Sequence, residues 1–297
     1  MRYEEASSAV ARAADLLRGA DAVLIAASNG FDIADGYNQF ACDETFVRLF
    51  GDFSNAYGLR SMLQGIMARW PSEELRWSFL ARLISYGYSE YAPSLAMETL
   101  DRLTAGKPRF VVTCNCNGRF ERAGFDSAAL FETEGSFARL RCTRDCADED
   151  FEALPFVRRI RTWSASGASA GVSLAIPSEL VPRCPRCGAT LDVAVDDTGR
   201  LADTARFRSQ QERFRSFLSA HSGDRITVLE LGVGQANRAI KAPLMRFAES
   251  EPQASYIVLN RDEALLPCDL GDRAVSVRGD LADGLSDLAT HFEKACS

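Results

Sequence analysis

Four short apolar runs constrain the fold of this chain more than any other feature. Each run is too short for a typical helix and ends at polar or glycine residues. Continuous apolar runs of this length are typical of strands that are buried on both faces of a parallel sheet. Segments with helical periodicity separate them, so we predict an α/β fold with a doubly wound parallel sheet. The four runs cover residues 21–27, 109–112, 225–231 and 255–259.

The net charge and the hydropathy of the chain argue against several classes of protein. The net charge of -7 argues against a nucleic-acid partner, because neutralising phosphates requires clustered Lys and Arg. No apolar run approaches the length that spans a bilayer. Residues 4–18 have acidic side chains and helical periodicity where a signal peptide has an apolar core, and the predicted helix stops at Gly19. We therefore expect a cytoplasmic protein with neither a membrane nor a nucleic-acid partner.

A polar loop, residues 113–118, follows the second apolar run with the sequence TCNCNG. Ligands in open α/β sheets bind at the carboxyl ends of the strands, which is where this loop would lie. Its hydroxyl and its two carboxamides, on Thr113, Asn115 and Asn117, are suited to hold a polar small molecule. Asn and Gly also form ordinary turns, so the local sequence alone leaves both interpretations open.

The loop after the first apolar run has a related pattern. Ser28, Asn29 and Gly30 stand where the first strand would end and a helix would begin. Backbone N–H groups in such a turn can bind a pyrophosphate. Only Gly30 and Gly36 supply glycine here, whereas a dinucleotide loop usually has three glycines close together.

Two pairs of cysteines interrupt the α/β pattern. They follow the spacings Cys142-x3-Cys146 and Cys184-Pro-Arg-Cys187-Gly. Four thiolates in two close pairs are the usual ligands of structural zinc, and an all-cysteine set leaves no coordination position open for catalysis. The alternatives are disulfides, which a reducing compartment disfavours, and unrelated buried thiols. We predict a small zinc module over residues 139–197, inserted between 1–138 and 198–297 of the larger domain.

The order of these features resembles that of the sirtuin family along essentially the whole chain. The shared features are a strand with a Ser/Gly turn, a strand ending in T-x-N-x-N-G, and Glu134-Gly135 ahead of a four-cysteine insert. Residues 50–58 and 229–234, with Asn260-Arg261-Asp262, are most similar to the macrodomain-linked bacterial branch, class M. The resemblance implies a Rossmann-like domain, a zinc module and an NAD site between them.

The resemblance also implies roles for individual residues. Asn115 matches the asparagine beside the nicotinamide ribose, Asn117 stands where most sirtuins have an aspartate that contacts the nicotinamide carboxamide, and Glu134 stands where deacetylases have the catalytic histidine. Asn115 and Glu134 are the implied catalytic residues. Asp32 is a candidate for the acceptor side of the pocket. The implied cofactor-binding residues are Ala26, Ser28, Gly30, Asp32, Thr113, Asn117, Gly232, Val233, Gly234, Asn260 and Arg261.

Three functions remain open from the sequence. The first is a sirtuin-type NAD-dependent protein ADP-ribosyltransferase acting on a lipoyl-carrier protein, with a macrodomain hydrolase as a further partner. In that function, Glu134 acts either electrostatically, as a carboxylate beside a cationic ribose, or as a general base. The second is a module that binds NAD or ADP-ribose without turnover, which the replaced glycines at Ala26 and Ser28 favour. The third is an NAD-dependent deacylase that uses Glu134 as its base.

Overall fold

The computed structural model describes residues 2–166, 174–196, 199–262 and 265–294. Eleven helices are described: α1 (Arg2–Gly19), α2 (Asn29–Ala34), α3 (Glu44–Tyr57), α4 (Met62–Ile66), α5 (Glu73–Ile84), α6 (Leu95–Thr104), α7 (Arg119–Arg122), α8 (Leu154–Ala165), α9 (Ala205–Ala220), α10 (Arg238–Ser250) and α11 (Leu281–Lys294). A π-helical turn, Ser85–Ser89, continues α5. None of these described helices is long and apolar enough to cross a membrane.

Within the described ranges, nine strands form two sheets. The strands are β1 (Ala22–Ala27), β2 (Arg109–Thr113), β3 (Leu130–Glu132), β4 (Gly135–Cys142), β5 (Phe151–Glu152), β6 (Leu191–Val195), β7 (Ile226–Leu231), β8 (Ser255–Asn260) and β9 (Ala274–Arg278). The larger sheet is parallel throughout, in the order β3-β2-β1-β7-β8-β9. The α/β fold class predicted from the apolar runs is therefore confirmed.

Helices cover both faces of the larger sheet, and β1 shows why its sequence is continuously apolar. Its six side chains are all buried and alternate between two hydrophobic clusters. Val23, Ile25 and Ala27 pack with α1, α6 and α11, whereas the other three pack on the side of α9 and α10. A side chain of Val or Leu size contributes about 1.5–3 kcal/mol when it is fully buried. This two-sided burial fixes β1 at the centre of the sheet.

The smaller sheet is antiparallel, in the order β5-β4-β6. It packs in a third cluster with α8 and with the aromatic residues of α3 and α5, among them Phe46, Phe53, Trp77 and Phe79. The predicted module boundary at residue 139 falls inside β4. The other predicted boundary, between residues 197 and 198, lies outside the described residues.

The apolar runs do not predict the two edge strands of the larger sheet. β3 has three residues, which is too few for a periodic signal, and β9 includes a serine and an arginine. Both pair in parallel with a neighbour that is recognisable from its sequence, β2 in one case and β8 in the other. Only their hydrogen-bond pairing with these neighbours shows that β3 and β9 are strands.

Candidate active site

The carboxyl ends of β1, β2, β7 and β8 lie along one edge of the larger sheet. From β1 the chain proceeds outward to β2 and β3 on one side, and later from β7 to β9 on the other. The edge between β1 and β7 is therefore a topological switch point, where loops diverge and leave a crevice. The loop after β1, residues 28–30, is called the first loop. The first loop and the polar loop both open into this crevice.

The loop after β1 is fastened to the loop after β7 by backbone contacts. Gly30 N donates to Gly232 O at 3.1 Å, and Ser28 N donates to Leu231 O at 3.2 Å. A Cβ atom on Gly30 would lie 2.6 Å from Gly232 Cα, and Gly232 itself has a φ of +60°. Both positions therefore require glycine, because any side chain would push the two loops apart.

Asn115 is held in the crevice with one polar atom left over. Its Nδ2 donates to Ser28 O at 3.1 Å, and its backbone N donates to Thr113 Oγ1 at 3.0 Å. The residue is only 4% exposed, and its Oδ1 has no hydrogen-bond partner in the described part of the chain. A buried acceptor without a partner costs about 1–3 kcal/mol, so this atom indicates a site for a donor from a ligand.

Asn117 and Asp32 form a buried pair across the same crevice. Asn117 Nδ2 donates to Asp32 Oδ2 at 2.7 Å, and Asn117 Oδ1 accepts from Arg119 N at 3.1 Å. Burial raises the pKa of Asp32 to about 7, although the Asn117 hydrogen bond and the Arg119 guanidinium both act in the opposite direction. Asp32 therefore changes its protonation near neutral pH, unlike an ordinary aspartate.

An ion pair between Arg119 and Asp35 lies next to the Asn117–Asp32 pair and supports it. Arg119 Nη1 lies 3.0 Å from Asp35 Oδ2 and 2.7 Å from Asp35 O, and both side chains are almost completely buried. The guanidinium also packs over the rings of Tyr37 and Tyr91, at 4.8 and 4.4 Å from the ring centroids. Because the Arg119 charge is both paired and stacked on aromatic rings, it restricts the movement of the polar loop that precedes it.

Asp32, Tyr37 and Asn117 border a cavity of about 470 Å³. Its polar floor and its apolar rim lie on different elements, so a ligand would meet polar groups at depth and apolar groups near the mouth. The floor includes Asn29, Asp32, Cys114, Cys116 and Asn117, and the rim includes Phe40, Leu63, Ile66, Met67 and Val195. Burial raises the pKa of the Cys114 and Cys116 thiols, so neither is an activated nucleophile.

Glu134 lies at the mouth of this cavity, directly before β4. Its side chain is exposed, and its backbone O accepts from Asp196 N at 3.1 Å. Partial burial, together with the nearby Asp196 carboxylate, raises the pKa of Glu134. A carboxyl group with a raised pKa is a stronger base once it is ionised, which suits it to accept a proton.

A second cavity, of about 180 Å³, lies on the other side of the first loop. Gly30, Gly232, Asn260 and Arg261 border it, and Asn260 Nδ2 donates to Val233 O at 3.0 Å. The predicted cofactor residues thus fall into two groups on either side of Gly30. The side chains of Ala26 and Val233 belong to neither group, since both are buried in the core on the side of α10.

The cysteine cluster consists of Cys142, Cys146, Cys184 and Cys187, whose sulfurs all lie within 4.8 Å of one another. Cys142 Sγ is 3.5 Å from Cys187 Sγ, and Cys146 Sγ is 3.4 Å from Cys184 Sγ. Four thiols converging on one point suit a tetrahedral zinc ion with Zn–S bonds of about 2.3 Å. The cluster therefore fits structural zinc, as its spacing predicts.

The sequence did not single out several residues that shape the site. Asp35 and the tyrosines around Arg119 come from two separate segments, and Asp196 lies beside Glu134 only because β6 pairs with β4. Asn237 was also missed, although its Nδ2 reaches Cys114 Sγ at 3.2 Å. Only Asp35 had a local signal in the sequence, because it follows the candidate residue Asp32 by three positions.

Known structures with the same architecture cover nearly the whole chain. A Sir2 homologue in complex with NAD matches with a TM-score of 0.57 and 17% identity, over 96% of this chain and 94% of that one. A variant Sir2 homologue in complex with ADP-ribose matches with a TM-score of 0.56 and 19% identity, over 96% of each chain. The chain has the sirtuin fold. The fold implied by the sirtuin resemblance of the motifs is thereby confirmed.

Two curated proteins also match this sirtuin-fold chain. A "Protein ADP-ribosyltransferase" from Staphylococcus aureus is 26% identical over 266 residues, which are 89% of this chain and 81% of that protein. A "Probable bifunctional ADP-ribose hydrolase/ADP-ribosyltransferase" from Fusarium oxysporum f. sp. cubense is 27% identical over 226 residues. The match covers 75% of this chain but only 37% of the Fusarium protein. No protein-family model matches the chain.

Proposed function

We propose that this chain is a sirtuin-type NAD-dependent protein ADP-ribosyltransferase, which releases nicotinamide and modifies a protein acceptor such as a lipoyl-carrier protein. The observation that carries the proposal is Glu134, a carboxylate at the mouth of the polar cavity, at the position implied for a deacetylase histidine. The Staphylococcus relative, which is named a protein ADP-ribosyltransferase, supports the same activity. The described histidines, His221 and His291, lie at the end of α9 and on α11, which disfavours deacylation by a histidine base.

The residues along the crevice fit NAD in their chemistry. The unpaired Oδ1 of Asn115 offers an acceptor to a ribose hydroxyl, and the two cavities on either side of Gly30 match a ligand with two polar ends. We assign the nicotinamide side to Asp32, Thr113, Asn115 and Asn117. The first loop at Ala26, Ser28 and Gly30 would lie between the two ends. The adenosine side would include Gly232, Val233, Gly234, Asn260 and Arg261.

In this proposal, bound NAD supplies the ADP-ribosyl group when the bond between its ribose and its nicotinamide breaks. Positive charge develops on the ribose as that bond lengthens. The amide dipole of Asn115 is fixed by its hydrogen bond to Ser28 O and can stabilise this charge without reorganising. The apolar rim excludes water, and Glu134 takes the proton from the acceptor group as it attacks.

The test of this function uses NAD labelled on its adenylate half, together with a lipoyl-carrier protein. We expect transfer of the label to the carrier and release of one nicotinamide for each label transferred. Neither product should form when the carrier is replaced by an unrelated protein of similar charge. Absence of both label transfer and nicotinamide release from an NAD-bound protein would contradict the proposal.

A second candidate function is binding of NAD or ADP-ribose without turnover. It is favoured by Ala26 and Ser28, which stand where the sirtuin resemblance implies glycines. Ser28 N and Gly30 N already donate to Leu231 O and Gly232 O, so these two amides are not available to a pyrophosphate in either function. Calorimetry with NAD and ADP-ribose distinguishes the two functions, since binding without nicotinamide release supports the module and excludes the enzyme.

Two accompanying proposals concern partners and organisation. The name of the Fusarium relative joins a hydrolase and a transferase, which supports a macrodomain hydrolase as a partner of this chain. We also keep the division into residues 1–138 with 198–297 and a zinc module at 139–197 as a prediction. Limited proteolysis of the zinc-loaded protein, followed by mass determination of the fragments, tests that division.

A further inference from the structure

The mouth of the 470 Å³ cavity carries exposed apolar side chains. Two residues that border the cavity, Phe40 and Met67, are 47% and 75% exposed, and Met67 has the largest exposed fraction among the large hydrophobic residues of the described chain. A side chain that borders a cavity and is also exposed to solvent must lie at its opening. Apolar surface left open beside a reaction site is typical of a surface that another molecule covers.

The segment that supplies Met67 is basic, in contrast to the chain as a whole. Residues 53–72 contain two arginines, Arg60 and Arg69, and no Asp or Glu, whereas the whole chain has a net charge of -7. Both arginines are exposed, and neither side chain has an ion pair or a hydrogen bond within the described part of the chain. They stand just before and just after α4, which borders the cavity. One unpaired positive charge therefore lies at each end of this helix.

α4 is held firmly by its neighbours, so this surface is already formed before any partner binds. A Cβ atom on Gly65 would lie 2.1 Å from Phe79 Cζ, so α4 packs against α5 with no side chain between them. Trp70 Nε1 donates to Gly65 O at 3.1 Å, and its ring centroid lies 5.3 Å from that of Phe79. Leu63 N donates to Gln39 O at 2.9 Å, which joins α4 to the loop before α3. A surface that is rigid in advance loses little conformational entropy on binding.

The part of the mouth that β4 and β6 form has the opposite charge. Glu134 and Asp196 both border the cavity and lie together where these two strands pair. The mouth therefore has carboxylates on the β4–β6 part and unpaired guanidinium groups beside α4. A partner with a matching charge pattern fits in one orientation, because the reversed orientation would place like charges together.

We propose that the basic and apolar groups around α4 form a docking surface for the acceptor protein, and that this protein carries an acidic surface beside its acceptor residue. The docking surface consists of Phe40, Arg60, Met67 and Arg69. The inference rests on the proposed function and adds the chemistry of the partner. The net charge of -7 repels an acidic protein at a distance, so this local basic surface directs its approach. Once docked, the partner covers the mouth and completes the exclusion of water.

The experiment measures ADP-ribosyl transfer at increasing concentrations of a lipoyl-carrier protein. The double variant Arg60→Glu/Arg69→Glu is compared with the wild type and with Arg158→Glu/Arg246→Glu, which makes the same change of net charge at two exposed arginines away from the cavity. We expect the KM for the carrier to rise about tenfold or more in the first variant with kcat nearly unchanged, because charges at the edge of an interface act mainly on association. The control should change it by less than about twofold, since distant exposed charges are screened. Calorimetry should give all three proteins the same Kd for NAD.

A charge exchange between the two proteins tests the contact itself. Carrier variants in which one group of surface Asp and Glu residues at a time is changed to Lys are given to the wild type and to Arg60→Glu/Arg69→Glu. For the group that docks, the Lys carrier should be a poor acceptor for the wild type and should regain about tenfold in kcat/KM with the reversed enzyme. Raising the salt concentration should raise the wild-type KM for the carrier more than that of the reversed enzyme.

The outcomes separate this inference from the proposed function. Wild-type transfer together with an unchanged KM in Arg60→Glu/Arg69→Glu, or with an equal change in the control, overturns the inference alone. An NAD-bound wild type that transfers no label overturns the proposed function and the inference with it. The alternative occupant of the docking surface is a second copy of this chain, which analytical ultracentrifugation detects. A monomer at the assay concentration supports the proposal, whereas a dimer that Met67→Glu dissociates would overturn it.

Discussion

The cysteine cluster and the polar loop after β2 (Thr113–Gly118) both join distant parts of the chain, but their geometry is maintained differently. In the cluster, Cys146 and Cys187 are exposed, and the four sulfurs converge in a way that suits a shared ion. In the polar loop, Asn115 and Asn117 are buried and hydrogen-bonded to the loop after β1. The cluster therefore depends on a ligand for its shape, whereas the loop depends on the protein around it.

The largest effect should follow from removing the ion. Replacing Cys184, whose side chain is buried in the aromatic cluster, with Ser removes one of four ligands and leaves a polar group in an apolar site. Structural zinc contributes about 10–16 kcal/mol of apparent free energy in zinc-finger peptides, so we expect the smaller sheet to lose its structure. Zinc content and thermal unfolding measure the change. Cys268→Ser, at an exposed position outside the cluster, is the control, and equal melting of the two variants would contradict the zinc assignment.

The second-largest effect should follow from breaking the buried Arg119–Asp35 ion pair, which supports the polar loop. Arg119→Ala leaves the buried Asp35 carboxylate without its cationic partner, and breaking a buried ion pair in this way typically costs about 3–5 kcal/mol. We expect a loss of that size in the free energy of unfolding measured with urea. The matched control is Arg208→Ala, which breaks an exposed pair with Asp148 and should cost less than about 1 kcal/mol. Equal losses in the two variants would mean that the buried pair does not stabilise the loop.

A smaller effect is expected where the first loop meets the loop after β7. In Gly30→Ala, the new Cβ would lie 2.6 Å from Gly232 Cα, and the contact is with backbone that has little freedom to move. Overpacking of this kind costs about 1–3 kcal/mol. Gly234→Ala is the control because no atom lies within 4 Å of its added Cβ. If both variants unfold at the same denaturant concentration, the two loops are not fastened together as described.

These contrasts explain how far the sequence could predict the structure. The spacing of the cysteines carries their geometry, because the tight turns after Cys142 and Cys184 bring each pair together locally. The strands β1, β2, β7 and β8 could be predicted equally well, since burial on both faces leaves a continuous apolar run in the sequence. The polar loop could be identified as a site for the same reason, as the end of a predicted strand.

The partners of the polar loop could not be predicted in this way. The hydrogen bond from Asn117 to Asp32 joins residues 85 positions apart, and the Arg119–Asp35 pair joins residues 84 positions apart. Neither pair leaves a local pattern, because each forms only after β1 and β2 have paired and the loops between them have closed. The raised pKa of Asp32 has the same origin, since burial follows from the tertiary structure.

The last prediction concerns Glu134, which belongs to neither kind of region because its side chain is exposed. Glu134→Gln should leave the free energy of unfolding and the binding of NAD nearly unchanged. If the carboxylate acts as a base, the variant should lose about 10²–10⁴-fold in ADP-ribosyl transfer, the usual contribution of such a group. Burial and Asp196 raise the pKa of Glu134, so wild-type transfer should increase with pH through that raised pKa, and the Gln variant should lose this dependence. A Gln variant with most of its activity and the same pH profile would assign Glu134 a positional role.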